Sequence, residues 1–210
     1  MPANPAPAYR IGTERLILRC WDPADAAALK TSIDESLAHL REWMRWADDE
    51  PEPLEAKIER LRGFRGRFDL DQDYVYAIFD PTETIVLGGS GLHTRAGEGA
   101  REIGYWIHAD HINRGYATET AAALTKVAFA ICEMRRVEIH CSPANPASAS
   151  VPRKLGFVHE GTLRRRGPTK DGMPVDSMIW VMHDDDYPGS PVASATIEAF
   201  DAAGKRMPLP

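Results

Sequence analysis

Residues Asn113-Arg114-Gly115-Tyr116-Ala117-Thr118 stand between a β-rich run, Glu102 to Ile107, and a helical pattern through Thr120 to Ile131. A strand, a polar loop and a helix in that order offer the unpaired N–H groups and positive dipole end of a helix start, an arrangement that suits an anion. Gly115 lets the main chain approach a ligand closely, and Ala117 is too small to block it. The loop carries neither the Gly-Lys-Ser/Thr of a nucleoside-triphosphatase loop nor a GxGxxG fingerprint. Asn145-Pro146 has the N-cap and first-turn chemistry of a second helix start. Cys20, Cys132 and Cys141 are odd in number and lack CxxC spacing, so neither a disulfide framework nor a metal site is expected. His140 beside Cys141 is no nucleophile pair, because neighbours on a strand point to opposite faces. Arg164-Arg165-Arg166 with Lys170 forms the one basic cluster, read as a solvated loop or a contact for an acidic partner or a ligand phosphate.

The elements that position these groups follow from periodicity and punctuation. Leu16-Ile17-Leu18-Arg19 reads as a strand, with Asp22 as N-cap and Pro23 opening a helix to about Ile33. Ser36 to Trp46 spaces Leu37, Leu40, Trp43 and Met44 by three and four, a second helix, and Leu54 to Phe68 gives a third. Tyr74 to Phe79 and Thr84 to Leu92 form a hairpin about Asp80-Pro81, followed by the strand at Glu102 to Ile107. Val137 to Cys141 is a strand, Ala147 to Leu155 a short helix ended by Gly156, and Phe157 to Arg164 and Val175 to Met182 a hairpin turning at Asp171-Gly172. Residues 1–9, with Pro2, Pro5 and Pro7, are expected to be mobile, residues 10–187 to form one domain, and residues 188–210 to be a tail with a short helix through Ile197 to Ala203.

The whole chain of 210 residues is 43% hydrophobic and 27% charged, the profile of an ordinary soluble globular protein, with no apolar run long enough to span a bilayer. The N-terminus has no basic and apolar signal pattern, so a cytoplasmic location is expected. A formal charge of −6 disfavours non-specific nucleic-acid binding and suits a cationic substrate.

The block EIGYWIHADHINRGYATETAAAL (Glu102 to Leu124), together with NPASASVPRKLGF (Asn145 to Phe157), resembles the GCN5-related N-acetyltransferases (GNAT). The likeness is nearest the branch that includes the ribosomal-protein alanine acetyltransferases. Further matches at Thr13 to Arg19, Leu40 to Ala47, Gly161 to Arg166 and Asp171 to Met182 extend it over about residues 10–187. The resemblance implies an α/β fold with a mixed, centrally splayed sheet of six to seven strands. It also implies acetyl-CoA as co-substrate, with its pyrophosphate on the N–H groups of Asn113, Arg114, Gly115, Tyr116, Ala117 and Thr118. Pantetheine would lie along Trp106, Ile107 and His108, and Asn145 would hydrogen-bond the cofactor. The loop departs from the family pattern at Ile112, where Gln or Arg is usual.

Acyl transfer from a thioester needs a neutral amine, stabilisation of the oxyanion and a proton for the departing thiolate. The Tyr that many family members use as proton donor falls at Pro152, and a carboxylate proposed as base in the nearest branch falls at Gly167. The resemblance instead points to the Ser148 hydroxyl as donor to the thiolate and to Glu102 as base or water relay. His93 and His140 rank behind Glu102, since a lone His on a strand is more often structural. Trp43 and Met44 would wall the acceptor pocket. The expected partners are acetyl-CoA and a primary amine, either a protein N-terminal α-amine or a small molecule, with a homodimer as an open alternative and no nucleic acid or membrane. The departures at Pro152 and Gly167 keep a second reading open, a non-catalytic acyl-CoA-binding regulatory module.

Overall fold

The computed structural model describes residues 5–167, 169–170 and 173–209. The Asp171-Gly172 turn and the Lys170 side chain lie outside the described residues. The strands are β1 (Arg10–Gly12), β2 (Ile17–Cys20), β3 (Tyr74–Phe79), β4 (Val86–His93), β5 (Ala100–Ile107), β6 (Arg136–Cys141), β7 (Val158–Leu163), β8 (Thr169–Lys170), β9 (Met173–Pro174), β10 (Ser177–His183) and β11 (Glu198–Phe200). The helices are α1 (Ala26–Trp43), α2 (Leu54–Asp69), α3 (Tyr116–Ala130) and α4 (Pro146–Leu155). Among the described residues, nine strands form one sheet in the order β11-β1-β2-β3-β4-β5-β6-β10-β7, and β8 and β9 make a separate small ladder.

Every pair in the large sheet is antiparallel except β5 with β6, which run parallel and pair only from Ala100–Glu102 to Arg136–Glu138. Past that point the two strands separate, and the edge of β5 from Gly104 to Ile107 has no strand on its β6 side. The expected α/β fold with a splayed mixed sheet is therefore what the chain adopts, with nine strands where six to seven were expected.

The additional strands are β1 and β11, each three residues long, and β11 pairs with β1 through Ile11 and Ala199. The segment expected as a tail thus closes the sheet: Val192, Ile197 and Ala199 are buried in the core, and a strand stands where a helix was expected. A three-residue strand is too short to show a period, and its stability comes from the pairing it completes. At the other end, Ala8 is fully buried and the Tyr9 ring packs 4.7 Å from Phe68, so order begins before Arg10. The Tyr76 hydroxyl donates to the Ala8 carbonyl at 2.8 Å.

The two N-terminal helices expected on either side of Asp34-Glu35 are one continuous helix, α1. Its buried stripe, Ala26, Leu29, Ile33, Ser36 and Leu40, keeps helical spacing through the polar stretch because the buried hydroxyls are satisfied. Ser32 donates to the Val86 carbonyl and Ser36 accepts the Ala109 N–H. The Asp22 cap is present, with Asp25 completing a capping box at the short turn Pro23–Asp25. Apolar residues alternate along β2, sending Leu16 and Leu18 to the core beneath α3 and α4 and Ile17 to the core beneath α1 and α2. Burial of each such side chain contributes about 1.5–3 kcal/mol. The two cores thus lie on opposite faces of the sheet, and the one beneath α3 and α4 includes residues of both β5 and β6.

Candidate active site

A cleft of about 460 Å³ opens where β5 leaves β6. Its walls are the C-terminal end of α1 at Trp43, the β5 residues Tyr105 to Ile107, the loop before α3, and α4 from Asn145 to Lys154. The loop turns through two left-handed residues, Asn113 at φ +61° and Gly115 at φ +83°, and Gly115 is the N-cap of α3. This geometry aims the first-turn N–H groups of Tyr116, Ala117 and Thr118, which have no intrahelical acceptors, toward the cleft that these residues line.

Arg15 braces the loop from behind. Its Nη1 donates to the Arg114 carbonyl at 3.0 Å, its Nε to Glu119 Oε2 at 2.8 Å, and its guanidinium lies 4.9 Å from the Tyr116 ring centroid. Thr13 adds a 2.6 Å hydroxyl bond to the other Glu119 oxygen.

Across the cleft, Asn145 caps α4 by accepting the Ser148 N–H at 2.9 Å, which leaves its amide NH2 as the group available to a ligand. Pro152 lies inside α4, four residues after Ser148, and has no N–H to give the Ser148 carbonyl. The Tyr105 hydroxyl takes that place: it donates to the Ser148 carbonyl at 3.1 Å and lies 3.3 Å from Ser148 Oγ. Burial raises the Tyr105 pKa well above the ordinary tyrosine value, outweighing the hydrogen bond to Ser148, so the phenol stays protonated and a donor. The residue that removes the family's usual tyrosine thus creates the vacancy that another tyrosine fills.

A second cavity, about 840 Å³, lies on the α1/α2 side of the sheet and shares Met44, Tyr105 and Trp106 with the cleft. Its floor is β4 and β5, where Gly89 and Gly91 leave room for larger neighbours. A Cβ on Gly89 would fall 2.6 Å from the Trp106 indole nitrogen, and one on Gly91 would fall 2.3 Å from His93 Nε2. The Trp46 ring meets Trp106 edge-on at 6.0 Å. Two openings therefore converge on Tyr105 and Trp106, the arrangement a group transfer between two substrates requires.

A family model described as "Acetyltransferase (GNAT) domain" matches residues 15–158. The chain belongs to the acetyltransferase (GNAT) family. It is similar to the uncharacterized N-acetyltransferase YoaA of Bacillus subtilis (strain 168), 27% identical over 171 residues, 80% of this chain and 93% of that protein. It is also 24% identical over 160 residues to the [Ribosomal protein uS5]-alanine N-acetyltransferase of Escherichia coli (strain K12), 74% of this chain and 81% of that protein. Among solved structures, Mycobacterium smegmatis RimJ in complex with CoA-disulfide superposes with a TM-score of 0.75 at 23% identity, over 91% of this chain and 92% of that one. The GNAT chain is an acyl-CoA-dependent N-acetyltransferase with acetyl-CoA as co-substrate.

Within this GNAT domain the cleft gathers Trp106, Ile107, Asn113, Gly115, Tyr116, Ala117, Thr118, Asn145 and Ser148, as the motifs imply. Arg114 does not line it, because its Nη2 donates back to the Asp110 carbonyl. His108 is also turned away: its N–H donates to the Leu87 carbonyl, its Nδ1 accepts the Asp110 N–H, and its Nε2 donates to Glu35 at 3.1 Å. Trp43 lines the cleft and Met44 both cavities, while Trp46 and not Trp43 lines the second cavity.

Glu102 lines neither cavity and is 8% exposed. Arg95 holds both of its oxygens, at 2.8 and 2.5 Å. Burial would raise its pKa, but the Arg95 hydrogen bonds and charge, with His140 and His93, outweigh it and hold the carboxyl below its ordinary range. A carboxylate so neutralised is a poor proton acceptor.

Gly167 has no room for a carboxylate, since a Cβ there would fall 2.7 Å from Val175 Cγ2 and 3.0 Å from the Val175 carbonyl. Burial pushes the Cys20 and Cys132 thiols up to about 12, so neither is a thiolate at neutral pH. Among the described residues, no group of three His, Cys, Asp or Glu side chains could hold a metal ion, and no helix is long and apolar enough to cross a membrane. The motif reading passed over Tyr105, whose sequence signal was Pro152: a helix-interior proline leaves the carbonyl four residues earlier in need of a donor.

Proposed function

We propose that this acetyltransferase acts on the α-amine of a protein N-terminus, with a ribosomal protein as the acceptor class, in a cytoplasmic setting. The observation that carries the reading is the meeting of two separately opening cavities at Tyr105 and Trp106. One is shaped for a long anionic thioester and the other, wide and aromatic, for the end of a chain. The names of its relatives, which include a ribosomal-protein acetyltransferase, point the same way.

In this reading the first turn of α3 holds the pyrophosphate and the Asn145 amide donates to the cofactor's pantetheine arm. The open edge of β5 aligns the thioester. The acceptor nitrogen, once neutral, attacks the carbonyl carbon directly from the second cavity. Ser148, kept in place by its cap and by Tyr105, donates a hydrogen bond to the departing sulfur, an interaction made chiefly in the transition state.

The test is release of free CoA thiol across a set of short peptides with free N-termini, polyamines, amino acids and aminoglycosides, with products identified by mass spectrometry. N-terminally acetylated peptides as the preferred products are expected. Turnover confined to small-molecule amines would overturn the acceptor assignment, and acetyl-CoA binding without turnover of any amine would favour a regulatory module.

A further inference from the structure

With Glu102 occupied by Arg95, the ammonium of an acceptor still has to lose a proton before its nitrogen can attack, and the second cavity holds a different group fit to take it. His93 ends β4 on the cavity floor, and its Nδ1 lies 3.0 Å from Asp73 Oδ1 and 3.1 Å from Oδ2. Asp73 is itself fixed. Burial would raise its pKa, but the His93 hydrogen bond and charge and the N–H groups of Thr94 and Tyr74 hold it below the ordinary carboxylate range. An ionised carboxylate only accepts hydrogen bonds, so in the neutral imidazole the His93 proton sits on Nδ1 and the lone pair on Nε2.

That Nε2 lies back over the paired glycines Gly91 and Gly104, 2.3 and 3.6 Å from where their Cβ atoms would be. The pair next to them is Ser90–Tyr105, at the junction of the two cavities. A side chain at Gly91 would occupy the space the imidazole needs, so the glycine is what admits the ring.

We propose that His93 is the general base of this acetyltransferase, taking the proton of the acceptor ammonium on Nε2, and that Asp73 is its positioning residue. The proposal rests on the acetyl-transfer reading above. The ammonium gives one proton to Nε2, the nitrogen lone pair forms the bond to the thioester carbonyl carbon, and the carbon–sulfur bond breaks. The nitrogen then loses its second proton as the sulfur gains one, and the proton on His93 passes to solvent. The charged groups facing the ring are Asp73 ahead of β3, Arg95 after β4, Glu102 on β5 backed by His140 on β6, and Glu59, Arg60 and Arg67 from α2. The Arg95–Glu102 pair cancels its own charge beside the imidazole, leaving Asp73 as the carboxylate bonded to it.

The experiment measures kcat from about pH 6 to about pH 9 for the wild-type chain, His93→Gln and Asp73→Asn, using a short alanyl peptide with a free N-terminus and, separately, spermidine, with acetyl-CoA affinity measured by calorimetry on each protein. Removing a general base costs roughly 100-fold or more in rate. His93→Gln is expected to show that loss near about pH 7, to recover toward about pH 9 as amine arrives already neutral, and to keep acetyl-CoA affinity within about two-fold. Asp73→Asn is expected to lose less, with the same pH trend. Parallel pH profiles for wild type and His93→Gln would overturn the base while leaving acetyl transfer intact. A wild-type chain that binds acetyl-CoA but releases no thiol with either amine would overturn the transfer reading and the base together.

Discussion

Replacing Gly115 by Val tests whether the loop before α3 holds the cofactor. Gly115 sits at φ +83°, where an L-residue costs about 1–2 kcal/mol and a β-branched one lies at the upper end. The new Cβ would stand 3.4 Å from the Arg15 Nη2, the movable end of a flexible side chain, so backbone conformation and not contact sets the cost. If the loop keeps its shape, that strain lowers Tm by roughly 2–8 °C for a domain of this size. If it relaxes to negative φ, the N–H groups of Tyr116 and Ala117 turn from the cleft. Loss of one or two hydrogen bonds to a charged phosphate, at about 1.5–3 kcal/mol each, weakens binding roughly ten-fold to ten-thousand-fold. Isothermal titration with acetyl-CoA, paired with a thermal melt, reads both quantities, and Gly115→Ala gives a milder member of the series. A folded Gly115→Val chain with acetyl-CoA affinity within about two-fold of wild type would refute the placement.

Ser148→Ala should lower kcat by roughly 10- to 1,000-fold with acetyl-CoA affinity nearly unchanged, and wild-type turnover would return Ser148 to the helix cap alone. Tyr105→Phe leaves the Ser148 carbonyl without its donor, so α4 should be destabilised by about 1–3 kcal/mol in denaturant titrations and kcat should fall as well; a stability equal to wild type would show that the bond contributes nothing. Glu102 has a folded-state pKa below its ordinary value, so its pairing with Arg95 stabilises the fold above the unfolded-state pKa and ceases to do so as pH falls through the folded-state one. Arg95→Ala should therefore melt below wild type near neutral pH and converge with it in strong acid; a gap that persists in acid would contradict the pairing. Gly91→Ala should displace the His93 ring and reduce turnover without reducing acetyl-CoA affinity, as kinetics and calorimetry on one preparation would show.

Sequence by itself determined the parts whose physics is local. The loop and helix start at Asn113 to Thr118 could be read because a glycine, small residues and a helical pattern are adjacent in the chain. Asn145-Pro146 announced α4 by cap chemistry, and β3 at Tyr74–Phe79 announced itself by composition. The family motifs then supplied the splayed sheet. Tertiary structure decided what depends on partners distant in the chain. Alternation says that His93 and Glu102 each face one side of the sheet, but only folding brings Asp73, 20 residues away, to the imidazole and Arg95 to the carboxylate. The Tyr105 hydroxyl reaches Ser148 across 43 residues because α4 packs over the opened edge of β5. Trp43 and Trp46 are three residues apart, yet α1 ends between them, and that turn sends one to the cleft beside α3 and α4 and the other to the second cavity. β11 has no pattern of its own and exists because β1 offers an unpaired edge, which only the assembled sheet provides.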